Sequence, residues 1–157
     1  MSTTYTTTEL DTLRKPPMAT GLAIAIADGG FVSTAIEFAA MVKKVRGATQ
    51  AYPRNSIIQA AFGKDSHYDP PETQAGNIQS ADLVEQAIER IDAALAIVTD
   101  KASDAEIAEY KQFIYDCGVA AAEAAGKGPF GRGSKKVSEA EAIVLKTIKE
   151  TLGIETD

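Results

Sequence analysis

The clearest pattern of apolar and polar positions lies in the last third of the chain, from Tyr110 to Gly153. Its first part repeats apolar residues at spacings of three and four, which places them along one face of a helix. These residues are Ile107, Tyr110, Phe113, Ile114, Cys117, Ala121 and Ala124. Gly126 is expected to end this helix, and a glycine-rich loop from Lys127 to Lys136 follows it.

The second helix of this hairpin has signals at both ends. Ser138 stands three residues before Glu141, a spacing at which a hydroxyl and a carboxylate cap the free amides of a helix start. The apolar stripe continues through Val144, Ile148 and Leu152. Gly153 followed by Ile154 predicts a left-handed stop in which an apolar residue folds back onto the helix.

The same reasoning predicts five helices before this hairpin. They run from Thr7 or Thr8 to Arg14, from Met18 to Ala27, from Ser33 or Thr34 to Arg46, from Arg54 to Phe62 and from Ser80 to Val98. The fourth of these is expected to start at Asn55 or Pro53. Pro16 and Pro17 are expected to end the first of them, because the second ring disfavours a helical residue before it. Ser103 and Glu106 form a further capping box at the start of the hairpin.

Two stretches lack helical periodicity, an extended lead over residues 1–8 and a long loop over residues 63–79. No window shows the alternation of apolar and polar residues that marks a strand. The sequence therefore predicts an all-α protein, with one domain over residues 1–157 that forms a compact bundle of about six or seven helices.

An earlier stretch of the chain repeats the pattern of the hairpin. Aligning 21–29 with 118–126 without gaps pairs alanine with alanine three times and glycine with glycine at both ends. After the loop, Val32 and Ser33 stand opposite Val137 and Ser138. The glycines and the shared Val-Ser start indicate an internal duplication of a helix-loop-helix hairpin, the alternative being chance similarity between alanine-rich segments.

The composition indicates a globular domain and argues against general nucleic-acid binding. The chain has 157 residues, of which 45% are hydrophobic, so one globular domain with a sizeable core is expected. The single cysteine leaves no internal disulfide and favours a reducing compartment, so the expected location is the cytoplasm. The net charge of -6 argues against general nucleic-acid binding. Arg14 and Lys15 before the apolar run 18–27 mimic a secretion signal, but the acidic residues ahead of them argue against one.

Candidate chemistry in the sequence is sparse. The long loop holds Asp65, His67, Asp69 and Glu72, but zinc needs more imidazole or thiolate ligands, and the spacing of a calcium loop is absent. A solvated acidic loop is the preferred interpretation. Cys117 lies on an apolar helix face, where a thiol is inert, so a hydrolase built on Cys117 and His67 is disfavoured. We therefore expect no catalytic residues and no enzymatic activity.

Two basic clusters are candidates for anion binding. Lys43, Lys44 and Arg46 lie in the last turn of a predicted helix, where cations match the negative end of the helix dipole. The loop 127–136 lacks the lysine and hydroxyl residue that follow the last glycine of a phosphate-binding loop. A solvated helix end and a flexible loop are the preferred interpretations, and an anion or acidic partner at the helix start after Ser138 is the alternative.

Two segments resemble a known family. The first copy ends its helix with the sequence Ala25-Ile-Ala-Asp28-Gly29, and the second runs from Gly118 to Gly126 and on through Val137 to Leu152. These segments resemble the TerB-like domain of tellurite-resistance proteins over most of residues 18–153. The resemblance implies a helical bundle without enzymatic activity. Such a domain would act in tellurite and stress resistance by binding a metal or a protein partner, in a complex that can associate with a membrane.

The resemblance also implies a divalent-metal site formed by Asp28, Glu139 and Glu141. The match is partial, because the second copy has Ala125 where the first has an aspartate, and Asp28 is followed by two glycines rather than by carboxylates. No other cofactor is expected.

A small-ligand carrier is the alternative from another functional class. Its pocket would lie between helices and be lined by Met18, Phe38, Tyr110 and Phe113. Apolar residues at helical spacing are more often plain core, which is the preferred interpretation of these four side chains.

Overall fold

The structure is a computed structural model that describes residues 4–27, 41–63, 80–125 and 139–154. Within these ranges it contains seven helices and no strand, which confirms the predicted all-α bundle of six or seven helices. The helices are α1 (Thr7–Ala27), α2 (described over 41–46), α3 (Ala48–Ala51), α4 (Ser56–Phe62), α5 (Ser80–Thr99), α6 (Asp104–Ala125) and α7 (Glu139–Leu152).

The first helix, α1, lies at the centre of the bundle and contacts α4, α5, α6 and α7. It runs parallel to α6, because Leu13 pairs with Tyr110 and, further along both helices, Thr20 lies beside Gly118. A short turn joins α5 to α6, and Ile154 at the end of α7 lies beside Ile107 near the start of α6. The helices α5 and α7 therefore run in the opposite direction to α1 and α6.

The prediction that Pro16 and Pro17 end a helix is wrong, because both prolines lie inside the continuous helix α1. Pro17 has no N–H, so the carbonyl of Leu13, four residues earlier, lacks its helical partner. The hydroxyl of Tyr110 donates a hydrogen bond to this carbonyl over 2.6 Å. A side chain 97 residues away thus replaces the missing backbone donor.

The start of α1 also differs from the prediction. Thr6, rather than Thr7 or Thr8, caps the helix, since its hydroxyl accepts from the Glu9 amide at 3.1 Å and its amide donates to the Glu9 carboxylate at 2.8 Å. This is a complete capping box. The helix begins at Thr7, inside the predicted lead 1–8. Of that lead, residues 4–6 precede the helix and residues 1–3 lie outside the described residues.

Other predicted helix ends are confirmed. The side chain of Asn55 accepts from the Ile58 amide and caps α4, and Ser103 and Glu106 form the predicted capping box at α6. Gly153 adopts a φ of 69°, and the amide of Ile154 donates to the carbonyl of Lys149 at 3.2 Å. These are the geometry and the hydrogen bond of the predicted left-handed stop.

Further predictions met different outcomes. The short helix α3 was not expected from the sequence. Lys43, Lys44 and Arg46 are exposed at the end of α2, as expected of cations at a helix C-terminus. The predicted helix start at Ser33 or Thr34, residues 64–79 of the predicted loop 63–79, the loop 127–136 and the cap at Ser138 lie outside the described residues.

Candidate functional site

The carboxylates predicted to bind metal at the start of α7 lie in different surroundings. Glu139 is exposed, whereas Glu141 is buried at 1% exposure. Residues two apart on a helix do not face each other, so these two side chains leave α7 on different sides. Asp28 lies outside the described residues. Within the described ranges, no group of three or more metal-ligating side chains is close enough to hold an ion.

The two copies of the proposed duplication share capping boxes and central glycines at equivalent positions. The capping boxes Thr6–Glu9 and Ser103–Glu106 stand 97 residues apart, as do Gly21 and Gly118 in the middle of α1 and α6. Each glycine lies close to the next described helix, and Gly118 lies closer still to Thr20 of α1. A Cβ added at Gly21 would meet Met41 of α2 at 2.6 Å, and one at Gly118 would meet Leu145 of α7 at 3.2 Å. The structure therefore supports the interpretation as a duplicated hairpin.

The thiol of Cys117 is fully buried on the inner face of α6, as its place in the apolar stripe predicts. Burial raises the pKa of this thiol well above its ordinary value, because the thiolate would lose its hydration. A thiol that stays protonated and inaccessible is a poor nucleophile. Its hypothetical partner His67 lies outside the described residues.

The residues predicted to line a ligand pocket are buried in the core. Met18, Tyr110 and Phe113 are at most 7% exposed, and the ring of Phe113 makes edge contacts with Tyr52 and Phe62 at 6.0 and 5.5 Å. The fourth residue of that set, Phe38, lies outside the described residues. The three described side chains therefore pack against neighbouring residues of the core.

The outer face of α7 is the most distinctive surface of the described chain. Ile143 is 67% exposed, and among the described residues no other large apolar side chain is classed as exposed. Its neighbours on the same face are Glu139, Ala142, Lys146 and Glu150, all exposed. The sequence contains a signal for this exposure, because Ile143 falls outside the stripe of Val144, Ile148 and Leu152.

A surface groove of about 450 Å³ lies between the first turns of α6 and the end of α7. Its lining residues are Asp104, Ile107, Ala108, Lys111, Gln112, Gly153 and Ile154. The half-buried side chains of Ile107 and Ile154 make its floor apolar. Asp104 and Lys111 stand two helical turns apart along one wall, so the groove has an acidic end and a basic end.

The start of α6, which forms this wall, is held in place by Glu106. One carboxylate oxygen of Glu106 accepts from the amide of Ser56 at 3.0 Å, and the other accepts from the amide of Ser103 at 3.1 Å. These hydrogen bonds lower the pKa of Glu106, and the bond from Ser56 has the largest effect. The buried side chain of Asn55 donates to the backbone carbonyl of Glu106 at 2.9 Å. One carboxylate thus caps α6 and ties it to the start of α4.

No protein-family model matches the chain, and neither a curated protein nor a solved structure is significantly similar to it. Within the described ranges, every helix is too short or too polar to cross a lipid bilayer. The candidate site is therefore defined by the geometry of the chain itself, namely the outer face of α7 and the groove beside its end.

Proposed function

We propose that this chain is a non-enzymatic, TerB-like helical domain that acts in tellurite and stress resistance by binding a protein partner through the outer face of α7. The observation that carries the proposal is Ile143, which is 67% exposed at the middle of that face. Covering a side chain of this size at an interface is worth roughly 1.5–3 kcal/mol. A protein interface commonly has an apolar core and a polar rim, and Ile143 with its charged neighbours would supply both.

The resemblance to TerB-like domains is supported by the correspondence of the two hairpins. The capping boxes, the central glycines and the glycine contacts to the following helices all repeat with the duplication. The single buried cysteine suits a cytoplasmic domain, since it needs no oxidising compartment. We include the cytoplasm in the proposal for that reason.

The first experiment tests the function in the organism that encodes the chain. We expect deletion of its gene to lower growth in tellurite, and the unmodified chain to restore growth. Ile143→Asp should fail to restore it, because a charge at the centre of the face opposes association. Ala96→Asp, on the exposed side of α5, is the matched control and should restore growth. Normal growth of the deletion strain, or full rescue by Ile143→Asp, would contradict the proposal.

The second experiment separates the partner version from the metal version. Melting of the purified chain is followed during titration with Ca²⁺ or Zn²⁺. A ligand at 100 times its dissociation constant stabilises the folded state by about 2.7 kcal/mol. A shift that is lost in Glu139→Gln or Glu141→Gln would favour the metal site with Asp28. If neither ion shifts the transition, the metal version is wrong and the partner version stands.

A further inference from the structure

The outer face of α7 and the groove beside its end share one arrangement of side chains. On α7, Glu139 and Lys146 are seven residues apart and Ile143 lies between them. In the groove, Asp104 and Lys111 are also seven residues apart on α6. Seven residues correspond to two turns, or about 10 Å along a helix. Each surface therefore has an acidic end, an apolar middle and a basic end.

The two arrangements match when the helices cross in antiparallel directions. Glu139 then lies opposite Lys111, and Lys146 lies opposite Asp104. The same register places Ile143 opposite Ile107. It also pairs the two small residues Ala142 and Ala108. In a parallel crossing like charges would face each other, so the charge order selects a single direction.

The four charged side chains are available for such a contact. Glu139, Lys146 and Asp104 are exposed and Lys111 is half-buried. Within the described part of the chain, none of these side chains makes a hydrogen bond or an ion pair. The groove contributes the apolar floor that Ile143 lacks in the isolated chain.

We propose that the occupant of the groove is a second copy of this chain, which inserts the outer face of its α7 in antiparallel direction. This inference rests on the proposed function and names the partner of the α7 face. A second copy is favoured over an unrelated protein because the α7 face and the groove that matches it lie on the same chain. Together they supply four charges and two isoleucines in one register. Each copy presents both surfaces, and Ile143 and Ile107 lie at different levels of the bundle, so the contact is head-to-tail and repeats from copy to copy.

The test measures the mass of the full chain by sedimentation equilibrium across a concentration range. We expect association into dimers and longer chains, with a dissociation constant for each contact that rises with salt. Lys146→Glu and Asp104→Lys should each raise that constant by about tenfold or more, because each places like charges opposite one another. Ile143→Ser should weaken the contact as well. Asp92→Lys, an equal charge reversal on the exposed face of α5, is the control and should change nothing.

The decisive step combines the two reversals. Lys146→Glu and Asp104→Lys in one chain, or an equal mixture of the two single variants, should restore association, because the charges again oppose in sign. Asp104 lies in the first turn of α6, where lysine is unfavourable for the helix. The combined variant keeps this cost, so restored association cannot come from restored folding, which melting curves record for every variant.

A chain that stays monomeric at millimolar concentration, or a combined variant that fails to associate, would overturn the inference. The proposed function is judged separately by growth in tellurite. If the chain is monomeric and Ile143→Asp still fails to restore growth, the α7 face binds a different protein and only the self-association is wrong.

Discussion

The substitution Tyr110→Phe tests how α1 accommodates two prolines. It removes one hydroxyl and keeps the ring, so the packing of the core is preserved. The hydroxyl donates to the carbonyl of Leu13, which Pro17 has deprived of its helical partner. Both groups are buried, and burial raises the pKa of Tyr110 well above its usual value, so the hydroxyl remains a donor at alkaline pH.

The expected loss follows from leaving this carbonyl without a donor. A buried polar group that loses its partner costs about 1–3 kcal/mol. The cost should depend on Pro17, because Pro17→Ala restores a backbone N–H four residues after Leu13. In the Pro17→Ala background, we therefore expect Tyr110→Phe to cost less than about 1 kcal/mol.

The assay is urea unfolding of the four chains of this double-mutant cycle, followed by circular dichroism. The coupling between Tyr110 and Pro17 is the difference between the two costs of Tyr110→Phe. Tyr115→Phe, on a half-buried ring of the same helix, is the control for loss of a tyrosine hydroxyl. Equal costs in both backgrounds would show that the hydroxyl does not replace the missing amide.

Three further predictions concern other described residues. Gly118→Ala should destabilise the fold by about 1 kcal/mol in urea unfolding despite its better helix propensity, because its Cβ would meet Thr20 at 2.9 Å; an unchanged midpoint would show that the helices can shift. Glu106→Ala should cost about 1 kcal/mol at pH 7. The lowered pKa of Glu106 means that its stabilising effect is fully present above the unfolded value near 4.5 and is lost as the pH falls through the lower folded value, so the two chains should converge in stability in acid. Cys117 should react with iodoacetamide only in denaturant, and rapid alkylation of the folded chain would contradict its burial.

Local signals in the sequence were sufficient for most helix ends. The helix starts are capped by the side chains of Asn55 and of Ser103 with Glu106, as these residue types favour. The end of α7 is formed by Gly153, because glycine adopts a positive φ without strain. The amphipathic stripes likewise identified the buried face of α6, including Cys117. These features depend on residues only a few positions apart, so the information lies within one window of sequence.

The features that the sequence did not predict depend on contacts between distant residues. The continuity of α1 through Pro16 and Pro17 needs Tyr110, which lies 97 residues from Leu13. The groove combines residues from the start of α6 with Ile154 from the other end of the hairpin. The exposure of Ile143 follows from its place outside the apolar stripe of α7. The match between the charges of α7 and those of the groove wall on α6 depends on the directions of both helices, which the sequence does not give.

The proposed duplication accounts for the choice of Tyr110 as the donor for Leu13. A shift of 97 residues relates Thr6 to Ser103, Glu9 to Glu106 and Gly21 to Gly118, and the same shift relates Leu13 to Tyr110. Because α1 and α6 run parallel and Tyr110 contacts Leu13, equivalent residues of the two helices lie at the same level of the bundle. The second copy has Ile114 at the position of Pro17, so the carbonyl of Tyr110 keeps its backbone partner. The hydroxyl of Tyr110 donates to the carbonyl of Leu13 in the first copy. An apparent break in one repeat is thus satisfied by the equivalent residue of the other, which ties the two hairpins together at the centre of the bundle.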